Sequence, residues 1–333
     1  MTAPAYTERQ GGSALRDFFE ANAHVLSIAL FFLLCCALFF ALNPVFLSTG
    51  NLLNLFRQAA PTLIVSVAMT FVITTGGIDL SVGSIIALVN ATAALLLRGG
   101  WDWPVVAVAM LGLGAAIGLF QGYFIAVQKI PAFIVTLAGL SAIRGIALVL
   151  TGGFSILIPQ SLFLTIGRGT FGGVPYPAIL GLAVALLGYV VLNATLYGRR
   201  VCAVGANAEA ARRVGMPAQR VIASVYVWSG VASALAALVV AARLGSGSSN
   251  AAVGTELDVI AAVVLGGTSL AGGRGTIIGT VLGALTISAI SNGLILAHID
   301  AFFTQIVTGA IILIAIWLNT RIFDRVGTVK RRS

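Results

Sequence analysis

Long apolar runs recur along almost the whole chain, and they constrain the fold more than any other feature of the sequence. Each is about long enough to cross the roughly 30 Å hydrocarbon core of a bilayer. Lipid cannot satisfy backbone polar groups, so a spanning segment must be a helix or belong to a closed barrel. Barrel strands alternate apolar and polar residues, whereas these runs are continuously apolar. They predict helices at 25–42, 60–76, 81–97, 103–127, 131–151, 174–193, 221–243, 256–271, 276–297 and 302–320.

Composition supports the same fold class. Apolar residues make up 59% of the chain and charged residues 9%, whereas soluble domains carry roughly a quarter charged residues. The sequence therefore predicts an all-α, polytopic membrane protein of about ten transmembrane helices. The intervals 43–59 and 152–173 are interrupted by polar residues or by Gly and Pro, and we expect short interfacial elements there.

The distribution of basic residues predicts the orientation. Cytoplasmic loops retain an excess of Lys and Arg, and this rule also explains the net charge of +9 without nucleic-acid binding. Ten spans with cytoplasmic N- and C-termini leave Arg57, Arg98, Arg168 and Arg243 at or near the outer surface, with Arg144 inside a span. The remaining 14 of the 19 basic residues then lie inside: Arg9, Arg16, Lys129, Arg199, Arg200, Arg212, Arg213, Arg220, Arg274, Arg321, Arg325, Lys330, Arg331 and Arg332.

Three segments follow from this topology. Residues 1–24 form a polar cytoplasmic N-terminal segment, 25–320 the transmembrane domain, and 321–333 a basic cytoplasmic tail. The first apolar run is longer than a typical signal-peptide core, so we interpret it as a retained helix.

The longest polar interval between spans, residues 197–220, predicts one short helix across the inner surface. Asn207 is a suitable cap, Gly215 a suitable end, and Pro217 follows. The loop either contacts a separate subunit or only sets the orientation of the chain. Its candidate contact residues are Gly205, Asn207, Glu209, Ala210, Ala211, Arg212, Arg213 and Gly215.

Two glycine-broken places each join one apolar run to the next. In residues 74–84, Asp79 either caps the following helix, where its charge suits the helix dipole, or faces a polar passage. The second place, 265–276, has a similar Gly-Gly pattern, which suggests a duplicated half. Asn90 and Asn292 either join helices by hydrogen bonds or bind a sugar hydroxyl. The candidate passage residues are Thr75, Gly76, Gly77, Asp79, Ser81, Ser84, Asn90, Gly266, Gly267 and Asn292.

The chain resembles the permease subunits of ribose-type, monosaccharide ATP-binding-cassette importers. Three stretches in the expected order carry the resemblance: Gly-Gly-Ile-Asp-Leu-Ser-Val-Gly at 76–83, the central loop, and the glycine-rich stretch at 265–280. In the loop, the matching positions are Gly198, Gly205, Asn207, Ala210, Ala211, Arg212 and Gly215.

This resemblance implies a homodimer in the bacterial inner membrane, two cytoplasmic ATPase modules and a periplasmic sugar-binding protein. ATP and Mg would be bound by the ATPase subunit, so no cofactor is expected in this chain. The inner helix would sit in a groove of the ATPase and transmit its closure to the gate. The substrate would be a pentose, a hexose or a related polyol.

The residues themselves weigh against other functions. A phosphate-binding loop needs Gly-Lys followed by Ser or Thr, and Lys129 and Lys330 both lack that context. We find no metal-ligand or catalytic spacing, so the chain is not expected to be an enzyme. The alternative is an ion-coupled secondary transporter or channel for a small polar solute, but such carriers usually place several ionisable residues within their spans. Arg144 either snorkels to the inner surface, lines the passage or pairs with a carboxylate.

Overall fold

The computed structural model of the chain describes residues 23–300 together with Phe303, Ile306, Gly309, Ala310 and Leu313. These residues form a helical bundle in which α2 and α10 are central. The helices are α1 (Ala23–Leu42), α2 (Thr49–Thr74), α3 (Val82–Arg98), α4 (Trp103–Ala126), α5 (Ala132–Thr151), α6 (Phe163–Arg168), α7 (Tyr176–Ala194), α8 (Leu196–Ala206), α9 (Ala208–Arg213), α10 (Ala218–Leu244), α11 (Thr255–Leu265) and α12 (Ile277–Leu296).

Strands are minor elements of the fold. β1 (Ile156–Leu157) pairs antiparallel with β4 (Ser246–Gly247), and β2 (Thr170–Phe171) pairs with β3 (Val174–Pro175). Pro44–Leu47 is a short 3-10 helix. The interval 152–173 therefore contains only short elements, as the sequence predicts, and the fold is all-α apart from two pairs of two-residue strands in the described ranges.

Seven helices in the described part of the chain are long and apolar enough to cross a membrane. They are α1, α2, α4, α5, α7, α10 and α12, and α3 is a shorter apolar helix. The predicted span at 302–320 lies almost wholly outside the described residues, as do the 1–24 segment and the tail at 321–333.

The start of α2 differs from the prediction, which assigned 43–59 to the interface and began the span at residue 60. The helix begins at Thr49 and continues through Pro61. Ser48 caps it by accepting a hydrogen bond from the amide of Asn51 at 3.4 Å, and the Asn51 side chain pairs with Asn292. Asn51 in the first turn therefore has protein partners, whereas Asn54 and Gln58 further along the helix are exposed.

The predicted span at 256–271 is also wrong in length. Helix α11 has 11 residues, which is about 16 Å at 1.5 Å per residue, and it ends where Gly266 and Gly267 begin a turn. A helix of this length covers about half of the hydrocarbon core. Continuous apolar character hid the break, because the residues after it remain mostly uncharged.

Small residues allow the central helix α10 to approach its neighbours closely. Gly114, Gly118 and Gly122 on α4 contact the backbone of α10 at Gly230, Tyr226 and Ala223. A side chain at any of the three would collide with that backbone. This four-residue spacing is the small-residue pattern by which membrane helices associate.

The bundle has two distinguishable ends. The basic end carries α8 and α9, and the Lys129 charge acts on Glu209 of α9, so the α4–α5 connection lies there too. The opposite end carries the segments that follow α3, α5 and α10. This opposite end also contains a group of three neighbouring arginines, Arg57, Arg168 and Arg243. They are therefore remote from the arginines of the basic loop.

Candidate functional site

The two glycine-broken segments meet each other and the C-terminus of α8 at the basic end of the bundle. The amide of Gly273 donates a hydrogen bond to the carbonyl of Thr74 at 2.9 Å. Gly205 packs directly against that carbonyl and against the amide of Gly273. A Cβ on Gly272 would lie 2.6 Å from the carbonyl oxygen of Gly205. We call this contact of residues 74–77, 205–206 and 272–275 the glycine junction.

The glycine junction connects backbone to backbone, because no side chain separates the three segments at their closest points. Gly76 and Gly272 have φ angles of 82° and 81°, which residues with a Cβ rarely adopt. Helix α2 ends at the junction, and the glycine-rich segment that follows α11 reaches it. A displacement of α8 would therefore act directly on the end of α2.

Asp79 lies in the segment between α2 and α3, and protein groups satisfy its carboxylate. Oδ1 accepts from the amide of Ser81 at 3.0 Å and from its hydroxyl at 2.6 Å. Oδ2 accepts from the hydroxyl of Ser229 on α10 at 2.6 Å. Ser81 in turn accepts from Nε2 of Gln121 on α4 at 2.9 Å.

This polar cluster of Asp79, Ser81, Gln121 and Ser229 is buried. Its residues tie the α2–α3 break to α4 and α10 at once. Ser229 is the twelfth of the 27 residues of α10, so the cluster lies near the middle of that helix. The predicted capping role of Asp79 takes the form of a bond to Ser81, the residue before α3 begins.

Sequence reasoning did not select Gln121 or Ser229. Gln121 is the one amide side chain in α4, and that isolation was an available signal. Ser229 carries no comparable signal, because small polar residues are common in α10. The glycines of the junction at 272, 273 and 275 lay in the quoted glycine-rich stretch but outside the selected residues.

The other passage candidates near the break have local partners. Thr75 donates to the carbonyl of Val72 at 2.7 Å, and Ser84 donates to the carbonyl of Leu140 on α5 at 2.7 Å. Gly77 packs against the buried hydroxyl of Tyr226. Gly266 packs against Gly279, which joins α11 to α12, and Gly267 forms the turn beside it with a φ of 89°.

Asn90 lies away from the break, and it joins helices. Its Oδ1 accepts from the amide of Ser248 at 2.6 Å, and its Nδ2 faces the carbonyl of Ala237 at 3.4 Å. Asn292 forms a reciprocal amide pair with Asn51 at 2.8 and 3.1 Å. The structure thus brings Thr75–Ser84 together and places the two asparagines elsewhere.

Arg144 also holds the loop after α10. Its Nη1 donates to the carbonyls of Ser249 and Ala251, both at 2.9 Å. Thr151 donates to the hydroxyl of Ser249 at 3.0 Å. Of the alternatives open from sequence, snorkelling to the basic end is therefore wrong, because this loop belongs to the opposite end.

The central loop contains two helices where the sequence predicts one. The predicted helix is α9, capped by Asn207, whose Oδ1 accepts from the amide of Ala210 at 2.8 Å, and followed by Gly215 with a φ of 81°. The additional helix α8 buries Val201 and Val204 against the bundle. It was missed because Gly198, Gly205 and the Arg199–Arg200 pair interrupt its apolar residues.

Helix α9 is short, and most of its residues are exposed. Ala211 is buried, whereas Glu209, Ala210, Arg212 and Arg213 are exposed. Glu209 accepts hydrogen bonds from Arg212 at 3.0 and 3.1 Å and a longer one from Arg213 at 3.5 Å. The Arg212 hydrogen bonds and charge hold the pKa of Glu209 below its usual value. The surface therefore stays zwitterionic at neutral pH.

Metal binding finds no support in the part of the chain that the structure describes. No group of three His, Cys, Asp or Glu side chains there could hold an ion. The three cysteines are free, and two of them lie in α1. The arrangement is suited to mechanical linkage between an exposed surface and a buried polar break.

A bundle of membrane-length apolar helices with such an exposed helical loop defines a multi-pass membrane protein. The chain belongs to the family described as the permease component of branched-chain amino acid transport systems, whose model matches residues 51–316.

Three relatives refine this picture. The ribose import permease protein of Bacillus subtilis is 43% identical over 283 residues, which is 84% of this chain and 88% of the relative. A probable ABC transporter permease protein of Escherichia coli is 40% identical over 99% of this chain and 100% of its own length. The xylose transport system permease protein of Escherichia coli is 34% identical over 95% and 93%, respectively. No solved structure matches the chain.

Proposed function

We propose that the chain is the permease subunit of an ATP-binding-cassette importer that carries a monosaccharide into the cytoplasm. The ribose and xylose permeases among its relatives support a pentose, a hexose or a related polyol as the substrate. ATP and Mg are bound and used by a separate ATPase subunit. The protein lies in the bacterial inner membrane with both termini in the cytoplasm and about ten transmembrane helices in residues 25–320.

The observation that carries this proposal is the glycine junction. It joins the exposed α8–α9 surface to the end of α2, and the next residues lead to the buried cluster around Asp79. When ATP draws two ATPase modules together, each module moves the α9 helix that it contacts. Because the junction has backbone on both sides, it cannot absorb the movement by rotating a side chain, and the break at 75–81 must shift.

The contact surface for the ATPase is formed by the predicted coupling residues. Exposed Ala210 gives close approach, and Arg212 and Arg213 give charge complementarity. Gly205 acts on the inner side, as part of the junction. A second copy of the chain completes the translocation path, and a periplasmic binding protein delivers the sugar. Movement of the break opens the path by separating Asp79 from Ser229.

The test replaces residues 209–213 by a Gly/Ser segment of equal length in the full chain, co-reconstituted with its ATPase and binding protein. We expect membrane insertion to be retained, ATP hydrolysis to continue and sugar import to fall to background. The measurement is the number of sugar molecules imported for each ATP hydrolysed.

The control replaces residues 159–162, which are Pro-Gln-Ser-Leu, by a Gly/Ser segment of equal length. These four residues are exposed at the opposite end of the bundle, so we expect this loss of exposed side chains to leave the import ratio unchanged. Normal import after replacement of 209–213 would contradict the coupling role. Sustained sugar flux by this chain alone, without the ATPase, would instead favour the ion-coupled carrier.

A further inference from the structure

Three arginines lie together at the end of the bundle opposite to α9. Arg57 is on α2, Arg168 ends α6, and Arg243 is in the last turn of α10. Nε of Arg168 donates to the carbonyl of Arg243 at 3.1 Å, and the Arg57 charge repels that of Arg243. Among the described residues, no carboxylate is within ion-pair distance of any of the three.

Two of these guanidinium groups have unused donors. Nε of Arg57 and Nη1 of Arg243 are both inaccessible to solvent and make no hydrogen bond within the described part of the protein. A buried donor of a charged group without a partner is costly. Clustered guanidinium groups with free donors are complementary to a planar or tetrahedral anion, and Arg is the residue suited to phosphate.

An apolar groove of about 530 Å³ runs between α2, α7 and α10. Its size is within the usual range for ligand sites, about 300–1,000 Å³. The groove is lined by Ile64, Ala68, Val184, Leu187, Ala232 and Leu235, among others.

Helical spacing aligns this groove with the arginine cluster. Ile64 follows Arg57 by seven residues, and Arg243 follows Ala232 by eleven, so each pair shares one face of its helix. The fourteen residues from Arg57 to Phe71, the last groove residue on α2, span about 21 Å. This exceeds half of the roughly 30 Å hydrocarbon core.

We propose that Arg57, Arg168 and Arg243 bind the phosphate of an anionic phospholipid whose acyl chain enters the groove between α2, α7 and α10. The headgroup separates the like charges, and small side-chain rotations of Arg57 and Arg243 turn their unused donors towards it. The acyl chain fills a groove that is apolar along most of its length.

Exposed apolar side chains beside the cluster favour a lipid over a protein as the source of the anion. Phe56 precedes Arg57, Leu244 follows Arg243, and Phe171 projects from the β2–β3 turn near Arg168; all three are exposed. A docked protein that supplied only carboxylates would leave these side chains without an apolar partner. A lipid supplies both the anion and the hydrocarbon.

The experiment uses the purified full chain in detergent after removal of bound lipid. Binding of phosphatidylglycerol and of phosphatidylcholine is measured by native mass spectrometry. We expect wild-type protein to prefer phosphatidylglycerol by about tenfold, and the double variant Arg57→Gln/Arg243→Gln to lose that preference, because each charge-assisted hydrogen bond contributes on this scale. The matched control is Arg199→Gln/Arg200→Gln at the basic end, which keeps the preference.

Trp228 lines the groove and reports the acyl chain. Phosphatidylglycerol with a brominated acyl chain, added at equimolar ratio, should quench tryptophan fluorescence in wild-type protein, and Trp228→Phe should remove most of that quenching. Absence of Trp228 quenching would overturn the proposal, because no acyl chain would then occupy the groove.

Three further results would also overturn it. The first is equal binding of the two lipids by wild-type protein, which needs no variant and so does not depend on the double variant folding. The second is displacement of phosphatidylglycerol by millimolar inorganic phosphate, which would indicate a free-anion site. The third is a double variant that keeps its lipid preference but no longer binds the periplasmic binding protein, which would make the cluster a docking surface.

Discussion

The two ends of the bundle are held together in different ways. At the basic end, the glycine junction brings main chain against main chain at Thr74, Gly205 and Gly273. At the opposite end, the loop after α10 is held by the β1–β4 backbone pairing and also by side chains, with Arg144 and Asn90 bonded to its backbone. The junction therefore relies on direct backbone contact, whereas the opposite end adds side-chain clamps to a backbone pairing.

The difference explains how the ends can serve different tasks. A backbone contact without intervening side chains has no rotamers to change, so it transmits displacement with little loss. A side-chain clamp can re-form with a water or another rotamer when the loop moves, and it then contributes stability more than linkage. We expect changes at the basic end to alter coupling and changes at the opposite end to alter stability.

The largest expected effect comes from Gly205→Ala. The new Cβ would collide with the carbonyl of Thr74 and the amide of Gly273, and both are backbone groups that cannot rotate away. Overpacking of this kind costs about 1–3 kcal/mol. We expect a lower midpoint of thermal unfolding and a loss of most sugar import for each ATP hydrolysed, measured in reconstituted vesicles.

Gly112→Ala and Gly145→Ala are the matched controls, because a Cβ at either position meets open space. Both should keep the unfolding midpoint and the import ratio of wild-type protein. An import ratio that survives Gly205→Ala would show that the junction tolerates separation, and the contrast between the two ends would fail.

An intermediate effect is expected from Arg144→Gln at the opposite end. The change leaves the carbonyls of Ser249 and Ala251 without their donor, at a cost of about 1.5–3 kcal/mol for bonds to a charged group. The unfolding midpoint should fall while the import ratio stays unchanged. Arg144→Lys should restore only part of the stability, because an ammonium keeps the charge and the donors but does not place them where Nη1 lies. A fall in the import ratio comparable to that of Gly205→Ala would mean that both ends of the bundle take part in coupling ATP hydrolysis to import.

Most of the spans and the helix α9 were predictable because their signals are local. An apolar run long enough to cross a bilayer has few alternatives, and Asn207 with Gly215 fixes the limits of α9 by capping and by a positive φ. The all-helical class follows from the same local patterns.

The partners in the candidate site were not predictable, because they are remote in sequence. Asp79 meets Ser229, 150 residues away, and Ser81 meets Gln121, 40 residues away. The length of α11 also depends on tertiary contact, since Gly266 ends the helix where it packs against Gly279. A single sequence does not show which of its distant residues are in contact.

The smallest effect is expected where a contact is exposed, at Glu209 and Arg212 on α9. Because Arg212 lowers the pKa of Glu209, the pair stabilises α9 above the ordinary glutamate pKa of about 4.3, and this contribution is lost as the pH falls through the lowered value. The difference in unfolding midpoint between wild type and Arg212→Gln should thus be small at pH 7, smaller near pH 3, and absent in 1 M salt, where screening acts within about 3 Å.

The control is Arg220→Gln, which changes an exposed arginine with no carboxylate partner among the described residues and should show no pH-dependent difference. A difference that persists at pH 3 and in high salt would mean that Arg212 stabilises α9 by packing, and exposed and buried contacts at the basic end would then act alike.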